Sequence, residues 1–335
     1  MAFSVNWERF TPVASLVGGG LIGLSCAAYL HLAGRIAGIS GIVSSVVHGD
    51  RAHGLKLSFF SAMILTGAVL RPWLNNAVAF ATNAPIVAQA VGGLLVGLGA
   101  SKQNGCTSGH GVCGLSRLSP KSLVAVLAFM SSGIFTGTFV RPYFFGASQQ
   151  MQPEATSNNI PALFAANLVA GGALVIATQH GSAAHVLTGL VCGSMFSAGL
   201  ALSSMANPSK LIDFLNLLGP RGWDPSLAFV MLGAILAAFV PFQLVARQQR
   251  QENRKPPTPT LFPEQPIGKF VQPTSWFEHE HKLQTLVGAG MFGVGWAIAG
   301  QCPGPGLLLA GAGVPAASFV FVPSMVAGIL LSSYV

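Results

Sequence analysis

Val91–Cys106 reads VGGLLVGLGASKQNGC, and Val287–Cys302 reads VGAGMFGVGWAIAGQC. Glycines coincide at positions 92 and 288, 97 and 293, and 99 and 295, and each stretch ends in cysteine fifteen residues after its valine. Weaker copies start at Val17 (VGGGLIGLS) and Val191 (VCGSMFSAG), and TGAVLRP at Thr66–Pro72 matches TGTFVRP at Thr136–Pro142. Self-similarity of this kind marks an internal repeat. It predicts two related halves of two units each, residues 1–150 and residues 160–246 with 283–335, arranged as an inverted repeat. In such chains a binding site is expected at the midplane, where broken helices from both halves meet.

The surroundings of the repeat decide its solvent. Of 335 residues, 51% are hydrophobic and 8% charged, and mean hydropathy is +0.61. A soluble domain carries roughly a quarter charged residues. Neither 155–209 nor 283–335 holds a single Asp, Glu, Lys or Arg. A helix crosses a bilayer with about 20 apolar residues, so the chain reads as an all-α integral membrane protein, multi-pass and placed in the cell membrane. About nine spans are expected, near 13–33, 57–74, 77–100, 122–145, 162–178, 183–205, 226–246, 283–299 and 316–335. A β-barrel is excluded by the lack of alternating ten-residue segments. The 41 glycines imply close helix contact or broken helices.

Three apolar, Gly-rich pieces, 36–47, 105–115 and 303–313, are too short to span and too apolar for ordinary loops. They are predicted to be re-entrant half-helices lining the middle of the molecule, since irregular backbone at membrane depth needs protein or a polar cavity around it. Residues 247–282 differ in kind. They hold six of the 17 basic residues, four of the nine acids and six prolines, and read as an exposed cytoplasmic linker. The net charge of +8 is otherwise scattered singly between apolar stretches, which argues against nucleic acid. Residues 1–12, with Glu8 and Arg9, show no cleavable signal pattern.

Chemistry concentrates in two places. Gly105-Cys106-Thr107-Ser108-Gly109-His110-Gly111-Val112-Cys113-Gly114 suits a backbone that leaves helix geometry and exposes N–H groups to an anion. In Gly300-Gln301-Cys302-Pro303-Gly304-Pro305-Gly306 the prolines break one helix and start another, with Cys302 at the break. The repeat makes Cys106 and Cys302 equivalent, two thiols facing one another across the centre. Cys106, His110 and Cys113 are zinc-type ligands, but the fourth ligand and a Cys-x-x-Cys pair are missing, so neither metal nor cofactor is expected. His110 either caps carbonyls or meets substrate. Arg117, Lys121, Arg71 and Arg141 read as interfacial anchors that snorkel, and Cys192 as packing. No hydrolase or nucleotide motif is present. Five cysteines, an odd number in apolar sequence, do not suggest disulfides.

GCTSGHGVCGLSRLS at Gly105–Ser119, QCPGPG at Gln301–Gly306 and GRIAGISG at Gly34–Gly41 resemble the YeeE/YedE sulfur transport family across nearly the whole chain outside 247–282. The resemblance implies a bundle of about nine spans plus short helices, in which cysteines form a narrow relay that passes thiosulfate. Carried over by motif, Cys106 and Cys302 are the central thiols. Cys26 supplies a further cysteine in the first unit, without a tight motif around it. Gly105, Thr107, Ser108, Gly109, His110 and Cys113 fall in the substrate-binding motif. The expected partners are a small sulfur anion, the bilayer and a cytosolic sulfur carrier or sulfurtransferase. Two readings compete: transport of another sulfur or selenium species, and a membrane sulfurtransferase or thiol redox enzyme in which Cys106 attacks the substrate, with His110 as its candidate base.

Overall fold

A computed structural model describes residues 3–49, 53–75, 77, 84–145, 182–251 and 281–333. The expected span at 162–178 and the middle of the 247–282 linker lie outside them. The described chain is a helical membrane bundle. Its elements are α1 (Pro12–Ala33), α2 (Ile39–His48), α3 (His53–Leu70), α4 (Ile86–Gln103), the π-helical α5 (Thr107–Gly114), α6 (Pro120–Phe145), α7 (Ser182–Leu202), α8 (Pro208–Leu215), α9 (Ser226–Gln251), α10 (Lys282–Ala299), α11 (Pro303–Gly311) and α12 (Ala316–Leu331).

Six stretches among the described residues are long and apolar enough to cross a membrane: α1, 54–73, α6, 184–202, 226–247 and 282–311, the last interrupted at Gly300–Cys302. Besides the expected span at 162–178, which lies outside the described residues, two expected spans are not among these six. Within the expected span at 77–100 the helix described over its length is Ile86–Gln103, whose last turn is Ser101-Lys102-Gln103. Helix α12 is shorter, and its first turns are π-helical. The linker also begins later than expected, because α9 stays helical through Gln251.

The most extensive helix pairs all join the first half to the second: α4 with α10, α1 with α9, and α3 with α7. Glycine sets their spacing. A Cβ on Gly99 would sit 2.4 Å from Phe292 N, and one on Gly295 would sit 2.7 Å from Gly92 O, so the α4 and α10 backbones touch where the quoted repeat lies. Without a hydrophobic drive between helices in lipid, such close packing carries the association.

The bundle has two distinct ends. The C-ends of α1 and α4 and the N-ends of α3 and α6 surround an open vestibule, and Gln243 Nε2 donates to Ser116 O (2.9 Å), bringing the C-terminal part of α9 there as well. Helix α2 runs from the centre to this end, where His48 Nε2 meets Ser333 Oγ at 3.4 Å. Helix α11 runs the opposite way, toward Gly313, which packs against Arg71. At the far end lie the N-terminal segment, α8 and residues 216–225. Asn6 N donates to Trp223 O (2.9 Å), and all eight residues of α8 are buried.

Candidate functional site

Two breaks carry the central cysteines, and their backbones follow the same order. Helix α4 ends at Asn104 in the left-handed conformation (φ 58°), Cys106 is extended (φ −136°, ψ −167°), and α5 follows. Helix α10 ends at Gly300 (φ 69°), Cys302 is extended (φ −113°, ψ 174°), and Pro303 opens α11. A left-handed residue satisfies the last helical carbonyls and turns the chain, and proline suits the first position of a new helix, where its missing N–H costs nothing. Each cysteine is therefore the N-cap residue of a short helix.

Both thiols line one small cavity of about 30 Å³, together with Thr107, Ser108, Ile39 and Met231. Thr107 Oγ1 donates to Cys302 Sγ at 3.7 Å, and Cys106 Sγ lies 3.3 Å from Ser108 Oγ. Ser108 Oγ in turn accepts from Ile39 N (3.1 Å), which fastens the start of α2 to α5. The N-terminal ends of α2, α5 and α11 thus meet at the cavity, a concentration of helix-dipole positive ends.

His110 is committed elsewhere. Its Nε2 lies 3.1 Å from Gln103 O, which can only accept, so Nε2 carries a proton; Nδ1, 3.1 Å from Ser122 Oγ, then accepts from the hydroxyl in the neutral ring. The imidazole braces α5 between α4 and α6. Gly105 is required by that brace, since a Cβ there would stand 2.7 Å from His110 Nε2. Gly109 lies against Gly38 at the α2 contact. Cys106, His110 and Cys113 do not converge: Cys113 faces Cys26 across the contact of α5 with α1. Among the described residues no three metal-ligating side chains gather. All five cysteines are buried free thiols, and Cys26, Cys113 and Cys192 lie behind the cavity wall rather than in it.

Above α5 the vestibule has a volume of about 1080 Å³. Gly105, Gly109 and His110 form part of its floor, while their neighbours Cys106 and Ser108 face the cavity beneath. Its wall carries Arg35, His48, Lys56, Arg117 and Lys121, and no Asp or Glu among the described residues. Walls of one charge sign focus field and raise the local concentration of the opposite ion. Arg117 and Lys121 therefore belong to an anion-attracting surface as well as to the bundle end. Arg35, His48 and Lys56 escape sequence reading because they come singly from separate elements. Arg141 corrects the snorkelling expectation outright, since it is 6% exposed.

Residues 5–138 match the family described as sulphur transport, and residues 184–258 and 276–335 match DUF6691, a family of unknown function. A probable transporter of Xylella fastidiosa strain 9a5c is 42% identical over 130 residues, covering 94% of that protein and 38% of this chain. A second probable transporter, from strain Temecula1, is 32% identical over 142 residues, or 84% of its own length and 42% of this chain. The fold and these likenesses define a multi-pass membrane transporter. The chain belongs to the YeeE/YedE sulfur transport family.

Proposed function

We propose that the protein imports thiosulfate across the cell membrane along a path from the vestibule, past Cys106 and Thr107, to Cys302. The observation that carries this reading is the pair of N-cap thiols on one cavity directly beneath a basic vestibule. A dianion taken unpaired into low dielectric costs many kcal/mol, so the path must replace its water. Lysine and arginine collect the ion, N-terminal ends of α2, α5 and α11 offset its charge, and neutral S–H groups donate weak hydrogen bonds to its soft terminal sulfur. A weak donor releases the ion again. The two halves act as inverted repeats that bring one cysteine each, and the Pro-rich linker read at 247–282 faces the cytoplasm, where a sulfur-handling partner protein would meet it.

The arrangement disfavours the sulfurtransferase reading. A nucleophilic Cys106 needs a base within reach, and its polar neighbour is the hydroxyl of Ser108, while His110 is bonded to Gln103 and Ser122. Uptake of radiolabelled thiosulfate by cells lacking other sulfur importers tests the proposal, with sulfate and selenite as competitors. Thiosulfate uptake that vanishes in Cys106→Ala or Cys302→Ala supports it. Normal uptake in both variants, or a persulfide on Cys106 that forms and discharges at the turnover rate, overturns it.

A further inference from the structure

At the end opposite the vestibule, cations outnumber their partners in a buried place. Asp213 on α8 is gripped from two sides: Arg9 Nη1 lies 2.5 Å from its Oδ2, and Arg221 donates to its Oδ1 through Nε (3.1 Å) and Nη2. Arg9 also donates to Ser209 Oγ (3.2 Å). Beside them Lys210 pairs with Asp224 at 3.5 Å and donates to Arg9 O and Thr11 Oγ1. These contacts tie α8 to the N-terminal segment and to the start of α9.

Arg141 has no such place. It lies within electrostatic reach of Arg221 and Asp213, is 6% exposed, and its Nε is buried without a hydrogen-bond partner among the described residues. The position is held firmly. Thr138 Oγ1, one turn earlier on α6, donates to Leu215 O and accepts from Leu217 N, both at 3.2 Å, so this end of α6 is pinned to the end of α8. Four cations, Arg9, Arg141, Lys210 and Arg221, thus face two carboxylates, Asp213 and Asp224. A buried guanidinium N–H without an acceptor is costly, and planar guanidinium pairs are suited to oxyanions.

We propose that Arg141 and Arg221, with Arg9 beside them, form a second anion-binding site at the end of the bundle opposite the vestibule, and that a small divalent oxyanion bound there displaces the Asp213 carboxylate from Arg221 and loosens α8. The exchange is a swap of acceptors and breaks no covalent bond. Burial pushes the Asp213 carboxyl above its ordinary value, against the pull of Arg221 and Arg9. Helix α8 packs its Pro208 and Ile212 on Gly300, beside the Cys302 break. An anion at the far end would therefore act on a segment packed beside the Cys302 break. That this ion is thiosulfate rests on the transport reading; the site for an oxyanion does not.

The test is equilibrium binding of radiolabelled sulfate, a divalent oxyanion without the soft sulfur, to the full-length protein purified in detergent, in wild type, Arg141→Gln, Asp213→Asn and Cys106→Ala. Arg141→Gln removes a buried group whose Nε has no hydrogen-bond partner among the described residues and should not impair folding, which a monodisperse elution profile checks. It is expected to lose one class of bound sulfate, a weakening of about tenfold or more. Asp213→Asn removes the competitor and should tighten the same class by roughly threefold to tenfold, a gain that a merely structural role would not produce. Cys106→Ala should leave that class intact. Equal binding in wild type and Arg141→Gln, or weaker binding in Asp213→Asn, overturns the site even if thiosulfate uptake depends on the cysteines. Loss of the class in Arg141→Gln upholds it even if thiosulfate is not transported.

Discussion

The two cysteine breaks share a backbone plan and differ in everything attached to it. After Cys106 the chain continues as Thr107-Ser108-Gly109-His110, a polar π-helix whose floor residues open to the vestibule. After Cys302 it continues as Pro303-Gly304-Pro305-Gly306-Leu307, a proline-started α-helix buried throughout its first seven residues. The first break brings hydroxyls and an imidazole brace; the second brings a thiol with Thr107, a donor from the other half, as its partner. A repeated helix–turn–helix geometry can thus serve an exposed entry and a sealed interior, and the side chains after the cysteine decide which. On the proposed path, where entry means the thiol nearer the vestibule floor and interior the one farther from it, Cys106 is the entry thiol and Cys302 the interior one; both are buried.

The comparison is broken most severely at the thiols. Cys106→Ala and Cys302→Ala are each expected to reduce thiosulfate uptake to background while the protein remains in the membrane, and uptake assays with quantitative blotting check this. Cys106→Ser should keep part of the uptake, because a hydroxyl still donates, whereas Cys302→Ser should keep less, since a hydroxyl followed by the apolar, buried Pro303–Leu309 costs more to desolvate than one beside Ser108. Equal behaviour of the two serine variants would erase the proposed distinction between entry and interior.

Steric damage to the shared backbone comes next. Gly105→Ala places a Cβ against His110 and should cost about 1–3 kcal/mol of stability by overpacking, read as a fall in melting temperature of the purified protein. Gly304→Ala, whose Cβ would first meet flexible side-chain ends of Leu200 and Phe196 at 3.2 and 3.4 Å, should cost less.

Charge in the vestibule touches the first break alone. The triple change Arg35→Gln, Lys56→Gln, Lys121→Gln should raise the thiosulfate concentration for half-maximal uptake by about tenfold at low salt, and the gap should close as ionic strength rises. A gap independent of salt would mean that these side chains contact the ion rather than steer it. Smaller still, Thr107→Val removes one hydrogen bond between the two breaks, about 0.5–1.5 kcal/mol, and should slow uptake a few-fold. Cys192→Ala, behind the wall, should leave uptake within about twofold of wild type, as expected for a buried packing residue replaced by a slightly smaller one.

Much of this site is legible in one dimension because it is local. Breaks at Asn104–Cys106 and Gly300–Cys302 are announced by glycine, asparagine and proline, whose dihedral preferences act over two or three residues. The half-helices at 36–47, 105–115 and 303–313 stand within a few residues of their expected bounds. What sequence reading misses is assembled from distant pieces. Arg141 looks like Arg71, since both sit in a TG-x-x-x-RP string, yet Arg71 is exposed and Arg141 is sealed under α8. Cys26, which the resemblance offers as a further cysteine of the first unit, faces Cys113, a contact that no local pattern announces. The basic residues of the vestibule are isolated in the chain and become a surface only when α1, α2, α3 and α6 close around it.

By itself, then, the sequence determined the solvent, the helices and the places where they break: too few charges for water, glycine where backbones touch, and dihedral-setting residues at each cysteine all act locally and survive any tertiary arrangement. Which thiols share a cavity, which cations line water and which are buried without a partner was decided by the packing of α4 on α10, α1 on α9 and α8 beneath the N-terminal segment. Those outcomes depend on distances between residues a hundred or more apart in the chain, set by close glycine contacts and by the desolvation of whatever side chain the closing bundle traps.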